Sequence, residues 1–413
     1  MDATQLSQIR RQKGFEIANT KKIVSQDGIW IVPSQTSTNK NYLVILGLNK
    51  STCTCEDYTR HLLPCKHIFA VKIRIANEVN RDTPKLRERP TYQQDWKAYN
   101  QAQTQEKELF MKLLNELCMS TIASSNEPHM GRPKLPLKDM VFSSALKVFT
   151  TCSLRRFMTD MKMAKEKGYV GKIPHFSMVS YYMEKKELTP ILQDLITLSS
   201  MPLKSVEAQF AIDSSGLRTT RYTEYCNEKH EMERRHHWMK VHICCGTKTH
   251  VITAVNITES AASDSMEFKP LSTQTLKNGF KIEEMSADKA YLSADNLSHI
   301  ARMGATAFIP FKSDTAVPTQ EKPYIWKKMY NYFTFNRDEF LLHYHKRSNV
   351  ESTFNMLKSK FNDSIRSKNS TAQINEVLLK VLCHNICVVI QEMFELGIEP
   401  NFLQVGKCMG IYP

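Results

Sequence analysis

YHKRSNVESTFNMLK, residues 344–358, spaces Tyr344, Arg347, Glu351 and Lys358 as Tyr-x2-Arg-x3-Glu-x6-Lys. Read as one helix at about 3.6 residues per turn, those four side chains fall within roughly a 60° arc. Val350, Phe354, Leu357 and Phe361 fall on a neighbouring arc roughly 80° away. Such a helix buries one stripe and holds an aromatic, a carboxylate and two cations at its rim. A carboxylate flanked by cations on an anchored helix suits metal-assisted chemistry on phosphates. An amphipathic helix with a solvated charged face carries the same pattern, so the chemistry needs carboxylate partners elsewhere in the chain.

The spacing resembles the Y-R-E-K signature of DDE transposases from bacterial and archaeal insertion sequences. The resemblance implies a ribonuclease H-like catalytic domain with three metal-binding carboxylates, the last on a helix, where Glu351 stands. Two aspartates at strand ends upstream would complete the set. AQFAIDSSGL (208–217) reads as a strand, with Phe210 and Ile212 on one face and Asp213 on the other. MKVHICC (239–245) and HVITAVNIT (250–258) read as two more strands, joined by a Gly246-Thr247-Lys248-Thr249 turn. A helix fits 265–277, a short strand 283–287 with Asp288 at its end, a helix 293–303 and a buried strand 305–311. A meander followed by alternating strands and helices predicts an α/β fold: a ribonuclease H-like mixed sheet with helices on its faces.

Asp213, Asp288 and Glu351 are therefore the candidate catalytic triad. Three converging carboxylates repel one another unless metal neutralises them, and oxygen ligands suit two Mg2+ or Mn2+ ions. Two such ions serve in-line displacement at phosphorus. The resemblance covers roughly residues 131–395 and implies that Arg347 and Lys358 contact phosphates, with Tyr344 beside them. About 60 residues separate Asp288 from Glu351, too few for the large β-rich insertion of some members. Within that interval YIWKKMYNYFTFNRDEFLLHYHKR (324–347) sets aromatics among cations. It reads equally as a base-stacking surface or as a core hairpin.

Composition agrees with a nucleic-acid partner. The 413 residues leave room for two or three domains, with 41% hydrophobic and 24% charged residues. The formal charge of +14 points to a polyanion, with nucleic acid ahead of membrane; a merely basic protein is the plainer alternative. Eleven cysteines, an odd number without a signal peptide, argue for a reducing compartment. The apolar run Val377–Ile390 is interrupted by Lys380, His384 and Asn385 and reads as a core helix.

Near the N-terminus, Ile29–Val32 and Tyr42–Leu46 read as strands around the turn SQTSTNKN. CTCEDYTRHLLPCKHIFAV follows, with Cys53, Cys55, Cys65 and His67 as Cys-x-Cys-x9-Cys-x-His. Three thiolates and an imidazole make a closed tetrahedral set for one structural zinc, with no position left for catalytic water. Four unliganded core residues are the alternative. The pattern resembles the SWIM zinc finger, which implies strands before, a helix after, and binding of DNA or protein.

Residues 80–100 read as a linker, and 106–122 as a helix. Gly131-Arg132-Pro133 resembles an AT-hook core that enters the minor groove, or is a plain turn. From 137 to 201 the chain reads as helices at 137–150, 153–167, 175–186 and 188–199. Residues 131–204 hold 13 Lys/Arg against 6 Asp/Glu, +7 of the +14. Basic helices suit a helix-turn-helix-like DNA-binding region; a scaffold bundle with a basic face is the alternative.

The domains expected are a zinc module (1–90), a linker with helix (91–130), a basic helical region (131–205), a catalytic core (206–365) and a packing helix with tail (366–413). The expected function is a DNA transposase that cleaves insertion-element ends and transfers strands to target DNA. Its partners are double-stranded DNA and a second copy in a synaptic homodimer, in the cytoplasm at the nucleoid, with no membrane. The alternatives are a domesticated non-catalytic DNA-binding protein and a metal-dependent nuclease of the same fold.

Overall fold

The structure, a computed structural model, describes residues 3–80 (save 27, 36, 38–39 and 48–49), 95–121, 135–219, 238–312 (save 261), 315, 318 and 321–403. The Gly131-Arg132-Pro133 tripeptide and most of the expected linker, 81–94, lie outside the described residues. The chain forms two compact units, residues 1–90 with 286–346 and residues 91–285 with 347–413.

The first unit opens with α1 (Ala3–Thr20), which sequence patterning did not reveal. Four short antiparallel strands follow in sheet order: β1 (Val24–Gln26), β2 (Ile29–Pro33), β3 (Asn41–Ile45) and β4 (Thr52–Cys53). Then come α2 (Glu56–His61) and α3 (Lys66–Asn80). A Cβ at Gly14 would lie 2.6 Å from Phe69 Cβ, so a glycine is what lets α1 cross α3 closely.

The second unit begins with helices α4 (Trp96–Thr121), α5 (Leu137–Thr150), α6 (Met158–Glu166), α7 (Phe176–Met183) and α8 (Leu188–Ser200). The stretch before Met158 is turn rather than helix: Ser153 Oγ accepts from Arg156 N there. Strands β5 (Gln209–Arg218), β6 (Trp238–Gly246) and β7 (Ile252–Glu259) form the expected antiparallel meander, and α9 (Asp264–Lys277) follows. The division between the units falls inside β8 (Glu284–Ala287). With β9 (Thr306–Phe308), a strand shorter than expected, these make a five-stranded mixed sheet in the order β7-β6-β5-β8-β9.

Between β8 and residue 346 the first unit adds α10 (Ala294–Arg302), α11 (Tyr324–Phe335) and α12 (Arg337–Tyr344). The aromatic-rich segment is thus two consecutive helices. Tyr330, Tyr332, Phe333 and Phe340 are buried, so those rings form core and are closed to bases. Phe308 stacks on His343 with ring centroids 4.3 Å apart, and α11 packs on α3.

The second unit ends with α13 (Ser348–Phe361) and α14 (Ser370–Glu395). Val350, Phe354, Leu357 and Phe361 are all buried, as their shared stripe requires. Burial of each such side chain contributes about 1.5–3 kcal/mol. By length and composition α14 is apolar enough to cross a membrane, yet most of it is buried against α4, α5 and α8. The polar residues that interrupt it each find backbone partners. Lys380 Nζ donates to Asn362 O and Ser364 O, His384 Nε2 to His250 O, and Asn385 pairs with both Ile252 N and O.

Candidate functional site: a thiol–imidazole cluster and a carboxylate–arginine cluster

Cys53 ends β4, Cys55 caps α2, Cys65 precedes α3, and His67 sits in the first turn of α3. The hairpin and the two helix starts bring the four ligand atoms within 4.8 Å of one another, all buried. His67 Nδ1 lies 3.8 Å from Cys53 Sγ and 3.9 Å from Cys65 Sγ. Tyr42 stacks on the imidazole at 4.3 Å and fixes its plane. The amides of Cys55 and Tyr58 donate to the Cys53 and Cys55 sulfurs, at 3.4 Å each. Such bonds favour thiolates. The hydrogen bond from Cys53, with a further one from His67, holds the Cys65 thiol down to about 4. Three sulfurs and one nitrogen in a dry pocket fit tetrahedral zinc, with no place for a water ligand.

In the second unit, β5 presents alternate side chains to opposite faces of the sheet. Asp213 and Ser215 point to the face that carries α13. Arg347 Nη1 donates to Asp213 Oδ2 at 2.6 Å, and its Nη2 donates to Glu351 Oε1. One guanidinium therefore bridges two carboxylates from distant parts of the chain. Asp213 Oδ1 also accepts from Ser214 N at 2.8 Å. Glu351 stands in the first turn of α13, where the helix dipole favours a negative charge. Lys358 Nζ donates to Ser215 Oγ at 2.7 Å, and burial lowers its pKa from the usual lysine range.

Two members of the expected set, Asp288 and Tyr344, belong to the first unit. Asp288 follows β8 directly and caps a short 3-10 turn. Tyr344 ends α12, and the 3-10 turn His345–Arg347 separates it from α13. The single helical arc drawn through Tyr344, Arg347, Glu351 and Lys358 therefore does not form; only Glu351 and Lys358 share a helix.

Comparison with known families decides the class. Residues 204–386 match the Transposase DDE domain, and residues 42–76 match the SWIM zinc finger. The chain carries a transposase DDE domain behind a SWIM zinc finger. No solved structure matches the chain. The DDE domain accounts for the ribonuclease H-like mixed sheet and places the chain with nucleic-acid-cleaving enzymes. Asp213, Asp288, Arg347, Glu351 and Lys358 all fall within the matched residues, and the SWIM match contains all four members of the thiol–imidazole cluster.

The opposite face of the DDE domain's sheet holds a polar network that sequence reasoning missed. Asp264, in the first turn of α9, accepts from Ser214 Oγ at 2.7 Å and pairs with Lys240 at 2.8 Å. His242 Nδ1 lies 3.5 Å from the same carboxylate. Burial pushes Asp264 up, but the bonds from Lys240 and Ser214 outweigh it and hold the carboxyl below its usual range. Since Ser214 N also donates to Asp213, this network reaches the carboxylate cluster through one residue. The i, i+2 spacing of Lys240 and His242 was a visible signal that they share a face.

Proposed function

We propose that the protein is a DNA transposase that cleaves at insertion-element ends and joins the freed 3′-ends to target DNA. The observation that carries this reading is Arg347 bridging Asp213 and Glu351 on one face of the sheet. Two carboxylates from a strand and a helix meet there inside a DDE domain. We assign Asp288, at the end of β8, as the third carboxylate.

The donors are all hard oxygens, which fit Mg2+ or Mn2+. Asp213, Asp288 and Glu351 would hold two such ions, which would supply activation of the attacking hydroxyl and stabilisation of the leaving oxygen. In this reading Arg347 turns its fork to a phosphate of the bound strand, and Lys358 provides a second phosphate contact. Tyr344 packs beside them. The catalytic core then runs over 206–365, closed by the packing helix and tail of 366–413. The basic helices of 131–205 grip the element end, and the zinc module of 1–90 and the helix of 91–130 stand before them. The active form is a synaptic homodimer on double-stranded DNA in the cytoplasm, at the nucleoid.

The test is incubation of the purified protein with Mg2+, a duplex carrying the sequences that flank its gene, and a supercoiled target. Cleaved ends joined to target support the proposal. Cleavage without joining identifies a nuclease of the same fold, and binding without cleavage identifies a domesticated DNA-binding protein.

A further inference from the structure

A cavity of about 340 Å³ opens between α5, α7 and the loop from α13 to α14, all within the second unit. Lys147, Arg366 and Lys380 line it, opposed by the single carboxylate of Glu376, and Phe361 and Leu154 give it an apolar wall. The volume is in the range of small-ligand sites.

Most of these charges are already engaged. Lys380 Nζ donates to Asn362 O and Ser364 O, both at 2.9 Å. Glu376 accepts from Arg366 N at 3.0 Å, Ser367 N at 2.8 Å and Ser367 Oγ at 2.7 Å. Arg366 Nη1 donates to Thr151 O at 2.6 Å and Cys152 O at 3.1 Å, leaving the rest of its fork uncommitted by those bonds.

Lys147 differs. It is only 9% exposed, its side chain lines the cavity, and its Nζ makes no hydrogen bond or ion pair among the described residues while still reaching solvent. Burial, then the nearby Arg366, lower its pKa. An ammonium on a largely buried side chain that faces a cavity loses part of its hydration, and a bound anion offsets that loss. Three cations against one carboxylate leave an excess of two positive charges. A phosphate monoester carries about −1.5 to −2. The apolar wall strengthens the attraction by lowering the local dielectric.

We propose that this cavity is a phosphate-binding site, with Lys147 as its main contact, for the phosphate of a free nucleotide or of a DNA strand end. It is separate from the carboxylate cluster. Glu351 and Phe361 lie at opposite ends of α13, roughly 15 Å apart at 1.5 Å per residue. The proposal does not depend on the transposase reading, and Asp213→Asn should leave it intact.

The test uses the full chain and Lys147→Met, which keeps the length and removes the charge. The probes are inorganic phosphate, AMP, and a short duplex with a 5′-phosphate or a 5′-hydroxyl, read by calorimetry. Loss of one charge-assisted contact should weaken the favoured probe about tenfold. If AMP and inorganic phosphate bind the wild type and lose affinity in Lys147→Met, the site takes free phosphates. If only the duplexes discriminate, with the 5′-phosphate preferred by the wild type and not by the variant, the site takes strand ends. Equal behaviour of the two proteins toward every probe overturns the proposal. Should Lys147→Met fail to fold, Cys152 in the wild type lines the same cavity: its alkylation slows under the phosphate probes if the site exists, and an unchanged rate overturns it.

Discussion

Arg347 reaches 134 residues back along the chain to Asp213, at 2.6 Å, while its other terminal nitrogen holds Glu351. The two carboxylates share one planar fork, so their separation is set by the guanidinium. A lysine carries the charge but has no fork to serve both at once. Arg347→Lys should therefore lose most DNA cleavage while global stability changes by less than about 1 kcal/mol, because the pair is partly exposed. Urea denaturation together with a cleavage assay checks both halves. A variant with full cleavage would show that neither the bridge nor a forked phosphate contact from Arg347 is needed.

Glu207 is a buried carboxylate that holds the turn between β6 and β7. It accepts from Thr249 Oγ1 at 2.8 Å and Lys248 N at 3.1 Å, and a side chain at Gly246 would collide with it. Glu207→Ala strands these donors in a dry site. The expected loss is about 1–3 kcal/mol of unfolding free energy. A denaturant midpoint equal to wild type would contradict it.

The same turn anchors the helix that carries Glu351. His250 Nδ1 lies 3.2 Å from Asn349 O and 3.1 Å from Thr353 Oγ1, and His384 Nε2 donates to His250 O. Burial pushes both imidazoles down, His384 to about 4. Unfolded imidazoles take up a proton near pH ~6.5, so between that pH and the folded pKa the unfolded chain binds more protons. Stability present above the unfolded pKa is lost as pH falls through about 4. The loss from His384 is on the order of 3 kcal/mol. His384→Gln keeps a donor for His250 O and does not titrate, so its urea midpoint should fall less steeply with acid. Parallel curves for the two proteins would refute the coupling.

Zinc removal should unfold the thiol–imidazole module, because the four ligands are buried on separate short elements that the metal would tie together. The loss should extend to α11, which packs on α3. Hydrogen exchange after chelation is expected to rise across 52–80 and 324–335 and to stay slow in α14. Uniform protection after complete zinc loss would exclude a structural metal.

Much of the fold was legible from local pattern. Short strand-like runs, with a Gly-Thr turn between the second and third, marked β5 to β7, and the dense Cys/His spacing marked the metal cluster. The failures share one cause, dependence on contacts distant in sequence. No proline or glycine marks the break at His345–Arg347, so the helix of Glu351 seemed to begin a turn early. Asp264 and Glu207 gain their roles from strands that fold over them, and Lys147 from a loop more than two hundred residues later. α1 is set by its crossing with α3 at Gly14 rather than by a strong apolar stripe of its own.

The most direct measurement is cleavage and joining by Asp213→Asn, Asp288→Asn and Glu351→Gln, each beside a DNA-binding titration. An amide of the same shape carries no charge to hold a divalent ion. A displacement that needs the full ligand set fails on losing any one, so the three defects should be alike rather than additive. The account predicts that all three variants bind element-end DNA as the wild type does and yield no cleaved or joined product. Near-wild-type cleavage by any one of them would contradict the carboxylate assignment.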